Sequence, residues 1–255
     1  MLLAVDIGNT NVKFGVFEGE QLKGTWRIAT DAGKLADEYA VLILNLLELG
    51  GIDKKRVDSA VFASVVPTLS VVFEGMFTRY FGIEALRVGA GVKTGMRILY
   101  ETRELAPDRI AVALGALRLH APPLIVVHLG TGTVFEAVSR EGDYMGGAIA
   151  PGIGVAADAL TGRAAMLRSV ELRPPKRAIG NNTAGAMQSG ILFGYAELIE
   201  GMVRRFKAEI GEDAAVVATG GWATMMSELT SVFDHVDENL SLHGLRQLHE
   251  LNEAE

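Results

Sequence analysis

Polar residues near the start of the chain have the types and spacing needed to bind a nucleoside triphosphate. An apolar run leads into Asp6, a turn with Gly8, Asn9 and Thr10 follows, and Lys13 stands in the next apolar run. A carboxylate oxygen suits hydrated Mg²⁺, glycine lets the backbone approach a ligand, and amide or hydroxyl groups suit phosphate oxygens. The same residues also fit a simple β-hairpin, because Asn and Gly are the commonest residues of hairpin turns.

A second copy of this pattern favours ligand binding over the simple hairpin. When the chain is shifted by 122 residues, residues 5–12 lie over residues 127–134, and both segments follow an apolar run. Because this offset is close to half of the 255 residues, the sequence predicts two similar halves, each presenting a polar turn to a cleft. The one conspicuous mismatch sets Asp6 against His128.

Composition excludes several classes of function. The net charge is −7 without a block of basic residues, which argues against a nucleic-acid partner. No apolar run is long enough to span a bilayer, and Asp6 interrupts the N-terminal run before it resembles a signal peptide. The absence of cysteine excludes disulfides and thiolate metal sites. We therefore expect a cytoplasmic protein without a membrane partner.

The order of predicted elements indicates an α/β protein with two domains, residues 1–121 and 122–255. Each half shows three strands, a helix, a strand and a helix, and Pro122-Pro123 marks the predicted boundary. Four of the predicted helices span residues 110–119, 156–167, 183–210 and 245–253, and a loop is predicted over residues 89–108.

Later motifs resemble one family in order and spacing, over essentially the whole chain. This family is type III pantothenate kinase, within the sugar kinase/actin/Hsp70 ATPase superfamily. The resemblance implies two similar ribonuclease-H-like (actin-like ATPase) domains with a cleft between them. The segments that carry it are Ser64–Pro67, Gly146–Gly152, Gly180–Thr183, Thr219–Gly221 and Leu240–Leu245.

The resemblance also implies an activity, the ATP-dependent phosphorylation of pantothenate to 4'-phosphopantothenate in the first step of coenzyme A biosynthesis. The family works as a homodimer with Mg²⁺ and a monovalent cation, K⁺ or NH₄⁺. Asp6 would hold Mg²⁺, and His128 stands at the family's monovalent-cation position. The implied ATP-binding residues are Asp6, Ile7, Gly8, Asn9, Thr10, Asn11, Val12, Lys13, Thr131 and Gly220. The implied pantothenate-binding residues are Tyr100, Ala106, Pro107, Asp108, Arg109 and Thr183, the last of them across the dimer interface.

Asp108 is the implied general base. A carboxylate beside the acceptor hydroxyl takes its proton as attack proceeds, which typically accelerates a reaction by about 10²–10⁴-fold. The residue type alone fits a simpler role equally well, because Asp before a helical run such as residues 110–119 is a common N-cap. The ordered set of motifs favours the catalytic role.

Three segments depart from the family pattern. His128 replaces an aspartate that binds the monovalent cation, and a neutral imidazole is a poor ligand for K⁺, whereas a charged one could replace the ion. The segment 101–107 lacks the family's Asn-Pro and has Ala106-Pro107 in place of Gly-Ala, which stiffens the backbone before Asp108. Glu136 stands where the family has aspartate.

These departures leave three hypotheses open. The first is an active pantothenate kinase with altered cation dependence, and the second is a catalytically impaired paralogue that acts as a nucleotide-binding or regulatory protein. The third is a superfamily kinase that phosphorylates another small alcohol. The active enzyme is favoured because six residues implied to form its site are all present, namely Asp6, Lys13, Thr131, Asp108, Arg109 and Thr183.

Overall fold

A computed structural model describes residues 1–101 and 104–253. The chain forms two compact units: unit 1 comprises Met1–Gly95, Glu101–Arg118 and Leu240–Glu255, and unit 2 comprises Met96–Tyr100 and Leu119–Asn239. Among the described residues, no helix is both long and apolar enough to cross a membrane. Thr102 and Arg103, which belong to the divergent segment 101–107, lie outside the described residues.

The elements follow the predicted order closely. The strands are β1 (Leu2–Ile7), β2 (Asn11–Glu18), β3 (Gln21–Ala29), β4 (Ser59–Ser64), β5 (Leu86–Arg87), β6 (Leu124–Leu129), β7 (Gly132–Val138), β8 (Tyr144–Pro151), β9 (Ala215–Thr219) and β10 (His235–Val236). The α-helices are α1 (Ala36–Leu49), α2 (Pro67–Met76), α3 (Pro107–Leu119), α4 (Ile153–Arg163), α5 (Thr183–Ile210), α6 (Ala223–Ser227) and α7 (Leu240–Glu253).

Unit 1 is built on a five-stranded sheet in the order β3-β2-β1-β4-β5. Strands β1 to β3 form an antiparallel meander, while β4 runs parallel to β1. Side chains alternate between the two faces of a strand, so Leu3, Val5 and Ile7 enter the hydrophobic core with residues of α1 and α2. Asp6 belongs to the opposite face, and α7 packs against β1, β2 and β4.

Unit 2 repeats this plan with a five-stranded sheet in the order β10-β9-β6-β7-β8. Strands β6 to β8 form the meander, and β9 runs parallel to β6. The core contains Ile125, Val127 and Leu129 of β6, packed with apolar residues of the long helix α5. The α/β class with two similar sheets is thereby confirmed.

The internal repeat is confirmed in the strands, but the turn of the second copy is one residue shorter than that of the first. Strand β1 covers residues 2–7 and β6 covers residues 124–129, which is the predicted offset of 122. In unit 1 the strand partner of Asp6 is Lys13, whereas in unit 2 the partner of His128 is Val134. The second turn is therefore one residue shorter, and Val134 takes the place equivalent to that of the basic Lys13.

Three of the four helices given above have boundaries that differ from the predicted ones. Helix α7 begins at Leu240 rather than residue 245, α4 spans Ile153–Arg163 rather than residues 156–167, and α3 begins at Pro107 inside the predicted loop 89–108. Gly244 lies in the early part of α7, and glycine lowers intrinsic helix propensity by about 1 kcal/mol relative to alanine. Packing against the sheet of unit 1 outweighs that local preference.

The compact units divide the chain differently from the two predicted halves. The change from unit 1 to unit 2 after Arg118 lies close to the predicted boundary, but the C-terminal segment Leu240–Glu255 belongs to unit 1. The reason is the packing of α7 on β1, β2 and β4. Division into domains 1–121 and 122–255 stays a prediction.

Candidate active site

The end of strand β1 places a carboxylate on the face of the unit 1 sheet opposite the core. Asp6 pairs with Lys13 on β2 and with Ala63 on β4. Directly paired residues of antiparallel strands have their side chains on the same face, so a basic group lies beside the Asp6 carboxylate. The strand geometry thus joins the acidic and basic residues predicted to contact Mg²⁺ and phosphate.

Asp108 lies close enough to Asp6 for the two carboxylates to repel each other. Asp108 is the second residue of α3, after Pro107, and its Oδ1 accepts a hydrogen bond from the backbone N–H of Arg109 at 2.9 Å. It therefore lies within the first turn rather than before it, while proline suits the first position of a helix. Strand β1 and helix α3, which are far apart in the sequence, thus bring the carboxylates of Asp6 and Asp108 close together.

The surroundings of Asp6 make its charged form less favourable. Burial and the negative charge of Asp108 together raise the pKa of Asp6 to about 6, against opposing effects from a hydrogen bond with Ser241 and from the positive charge of Lys13. Mg²⁺ is commonly held by one or two carboxylates together with substrate phosphates. The carboxylate of Asp6, with that of Asp108 nearby, therefore fits a divalent ion.

The turn after Asp6 is held in shape by backbone hydrogen bonds and by Thr30. The N–H of Gly8 donates to the carbonyl of Asn11 at 3.0 Å, and the Thr30 hydroxyl donates to the carbonyl of Gly8 at 2.7 Å. The N–H of Thr30 donates to the carbonyl of Thr10 at 3.0 Å. Side chains of Asn9, Thr10 and Asn11 are exposed, so the fixed turn presents them to solvent. No local pattern in the sequence indicates this role of Thr30, because it lies 20 residues beyond Thr10.

In unit 2 the residue equivalent to Asp6 is His128, and its ring lies over two glycines. A β-carbon added to Gly130 would lie 3.2 Å from the His128 Nε2, and one added to Gly220 would lie 2.9 Å from its Cδ2. Gly220 also has φ of 95°, in the left-handed region that favours glycine. The imidazole therefore fills the space beside the turn.

Thr131 lies exposed at the tip of the second turn. The Gly130 N–H donates to the Gly132 carbonyl at 2.9 Å, and the Thr131 carbonyl accepts a hydrogen bond from the Gly152 N–H at 3.0 Å. The predicted ATP contacts Thr131 and Gly220 therefore both adjoin the end of β6 in unit 2, because Gly220 directly follows β9, the parallel neighbour of β6.

Tyr100 packs against a buried polar pair in unit 2. Its ring lies edge-on to that of Tyr144 with centroids 6.2 Å apart, and the Tyr144 hydroxyl donates a short hydrogen bond to the Glu136 carboxylate. Both Glu136 and Tyr144 are buried. Glu136, which differs from the family's aspartate, is thus hydrogen-bonded in this chain. Its partner Tyr144 is the residue against which the Tyr100 ring packs.

The other predicted substrate residues lie in different units. Ala106, Pro107 and Arg109 adjoin Asp108 in unit 1, where the Arg109 side chain is buried. Thr183 is exposed as the first residue of α5 in unit 2, after Asn182, whose side chain caps the helix by accepting from the Gly185 N–H at 2.8 Å.

Comparison with known proteins points to one family. The family model for type III pantothenate kinase matches residues 2–205. A type III pantothenate kinase from Moorella thermoacetica is 48% identical over 253 residues, covering 99% of this chain and 100% of the relative. Another from Roseiflexus castenholzii is 47% identical over 253 residues, covering 99% of each chain.

Solved structures are similar in fold at low sequence identity. A candidate 2-dehydro-3-deoxygalactonokinase from Sinorhizobium meliloti superposes with a TM-score of 0.61 at 12% identity, covering 100% of this chain and 98% of that chain. At this identity the similarity bears on the fold alone, and it agrees with the two repeated sheets.

Proposed function

This chain belongs to the type III pantothenate kinase family, and we propose that Asp6, Lys13 and Asp108 carry the chemistry of its reaction. That reaction is the ATP-dependent phosphorylation of pantothenate in coenzyme A biosynthesis. The observation that carries the assignment of residues is the pair of neighbouring carboxylates, Asp6 and Asp108, with Lys13 beside them. Phosphoryl transfer depends mainly on positioning and on neutralising phosphate charge, which this group of residues suits.

Each residue has a separate proposed role. Asp6 holds Mg²⁺, which when bound neutralises charge on the ATP phosphates, and Lys13 adds a second positive charge beside it. The exposed turn residues Asn9 to Asn11 donate hydrogen bonds to phosphate oxygens. Asp108 accepts the proton of the pantothenate hydroxyl. The hydroxyl oxygen forms a bond to the γ-phosphorus of ATP while the bond between that phosphorus and the leaving ADP oxygen breaks. Thr131 and Gly220 stay predicted ATP contacts.

We also propose that turnover in this chain does not require K⁺ or NH₄⁺. The residue at the family's cation position is His128, whose ring fills the space beside Gly130 and Gly220. Monovalent cations take oxygen ligands, whereas imidazole nitrogen suits transition metals. These residues therefore do not fit K⁺, and His128 takes the place of the ion.

An assay with and without K⁺ tests both the activity and its cation dependence. We expect pantothenate-dependent ADP release and 4'-phosphopantothenate formation in Mg²⁺–ATP, at equal rates in KCl and in choline chloride of the same ionic strength. The variant His128→Asp should become K⁺-dependent, with turnover roughly tenfold or more higher in KCl, because an oxygen ligand returns and the imidazole is lost.

Three results would each contradict a different part of these proposals. A wild-type enzyme that is inactive in choline chloride and active in KCl would refute the cation proposal alone. Absence of turnover in either salt, with Mg²⁺–ATP binding intact, would favour the impaired paralogue. Activity on another small alcohol without activity on pantothenate would favour the third hypothesis.

We propose that the chain forms a homodimer through exposed apolar side chains of strand β8 in unit 2, the β8 surface. It comprises Met145 and Ile149, two exposed large apolar side chains on the same face of the strand. Strand β8 is an edge strand of its sheet, and clustered exposed apolar side chains at such a place commonly mark a protein interface.

Substitution of Ile149 by aspartate should convert the dimer to a monomer. Ile149 is 67% exposed, so the change should leave the fold intact while placing a charge in the proposed interface. Light scattering coupled to gel filtration would show the mass halve. The control is Leu49→Asp, at an 83% exposed position in unit 1, which should leave the mass unchanged. Equal masses for Ile149→Asp and the wild-type chain would refute this surface.

A further inference from the structure

Ser241 contacts the carboxylate that is proposed to hold the metal ion. It is buried in the first turn of α7, and its side chain forms a hydrogen bond with Asp6. Asp6 and Ser241 are 235 residues apart in the chain, so no local sequence pattern predicts this contact. A hydroxyl that donates to a carboxylate stabilises its charged form and limits its rotation.

Helix α7 is held against α3 by close backbone contact at two glycines. A β-carbon added to Gly115 of α3 would lie 1.9 Å from the carbonyl oxygen of Leu240, and one added to Gly244 of α7 would lie 1.7 Å from the carbonyl oxygen of Ala111. No side chain can be accommodated at either position without moving a helix. The N-terminal turn of α7 is therefore fixed relative to α3.

The two helices that meet at Gly115 and Gly244 both carry, in their first turns, a residue that interacts with Asp6. Helix α3 carries Asp108 in its first turn, and α7 carries Ser241 in its first turn. Asp108 acts on Asp6 by repulsion, while Ser241 acts by a hydrogen bond. Leu242 of α7 also packs on the sheet, since a β-carbon at Gly15 would lie 2.9 Å from its Cδ1. Contacts of α7 with α3 and with the sheet thus both fix the position of Ser241 relative to β1.

We propose that Ser241 is a positioning residue, which orients the Asp6 carboxylate so that its other oxygen is presented to Mg²⁺. This inference rests on the proposed role of Asp6, and it assigns a function to the motif Leu240–Leu245 in this chain. The glycine contacts between α3 and α7 keep the Ser241 hydroxyl in reach of Asp6.

Binding measurements on the whole chain test this role independently of turnover. Isothermal titration of ADP with and without Mg²⁺ should show that Ser241→Ala weakens Mg²⁺–ADP binding by about tenfold, since hydrogen bonds to charged groups are the stronger ones. Binding of ADP without Mg²⁺ should be unchanged. Ser241→Thr, which keeps the hydroxyl, should restore most of the lost affinity, and thermal unfolding would check that each variant is folded.

The control variant is Ser227→Ala, which removes an exposed hydroxyl that donates to the carbonyl of Thr224. It should bind ADP as the wild-type chain does in both conditions. An equal loss of affinity with and without Mg²⁺ in Ser241→Ala, or no loss in either, would overturn the proposal. Failure of the wild-type chain to phosphorylate pantothenate, with the Mg²⁺-specific loss still present, would count against the proposed function and leave the role of Ser241 standing.

Discussion

Replacement of Asp108 by asparagine should lower kcat about 10²–10⁴-fold while Mg²⁺–ATP affinity stays near the wild-type value. Asparagine keeps the shape of the side chain and its hydrogen bond from the Arg109 N–H, but it cannot accept the proton of the substrate hydroxyl. Initial rates at saturating ATP and pantothenate, together with titration of Mg²⁺–ADP, would separate the loss of the chemical step from a loss of binding.

A matched control is available on the surface of unit 2. Asp213 forms an exposed ion pair with Arg140 at 2.8 Å, and ion pairs on the surface contribute little to stability. Asp213→Asn should therefore leave kcat unchanged. If Asp108→Asn retained full kcat, Asp108 would instead be a structural residue of the first turn of α3, close to the capping role considered from the sequence.

Replacement of Asp6 by asparagine should have opposite effects on function and stability. Loss of the metal-binding carboxylate should reduce turnover by at least about 10²-fold, as expected for removal of a principal electrostatic contact. The ligand-free protein should become more stable at neutral pH, because burial and the neighbouring Asp108 make the Asp6 charge unfavourable in the folded state. Natural active sites commonly carry such a cost.

The pH dependence of this stability difference follows from the direction of the pKa shift. The pKa of Asp6 rises from 3.8 to about 6 on folding, so the folded protein binds a proton more readily than the unfolded chain between these values. The free energy of unfolding therefore falls as pH increases from 3.8 to 6, and by pH 7 the cost is about 1–3 kcal/mol. Asp6→Asn removes this cost.

Chemical denaturation in the absence of Mg²⁺ and nucleotide would measure the effect. The free energy of unfolding of Asp6→Asn should exceed that of the wild-type chain at pH 7, and the difference should shrink as pH is lowered from 7 towards 5. In parallel, Mg²⁺–ADP affinity of the wild-type chain should decline below pH 6, because the protonated carboxyl does not bind the ion. A less stable variant at pH 7 would show that Asp6 contributes to the fold through Lys13 and Ser241.

Local patterns in the sequence determined much of the fold and half of the candidate site. Alternation and apolar runs defined the strands, and the similarity of residues 5–12 to residues 127–134 predicted two equivalent sheets, both of which the structure contains. These features depend on periodicity within a few residues, so they can be recognised without knowing which segments meet. The presence of Asp6, Lys13 and Asp108 as candidates came from the same short motifs and their resemblance to a family.

Tertiary structure alone decided which groups act on Asp6. Pro107 to Arg109 begin helix α3 rather than ending a loop, and α7 starts at Leu240 because packing on unit 1 overrides the weak helix propensity near Gly244. Asp108 and Ser241 reach Asp6 from distant points of the chain because α3 and α7 cross at Gly115 and Gly244 with their backbones in contact. The two helices can approach this closely because glycine, which has no side chain, stands at the contact on each of them. The sequence of either segment alone does not show that the two glycines meet.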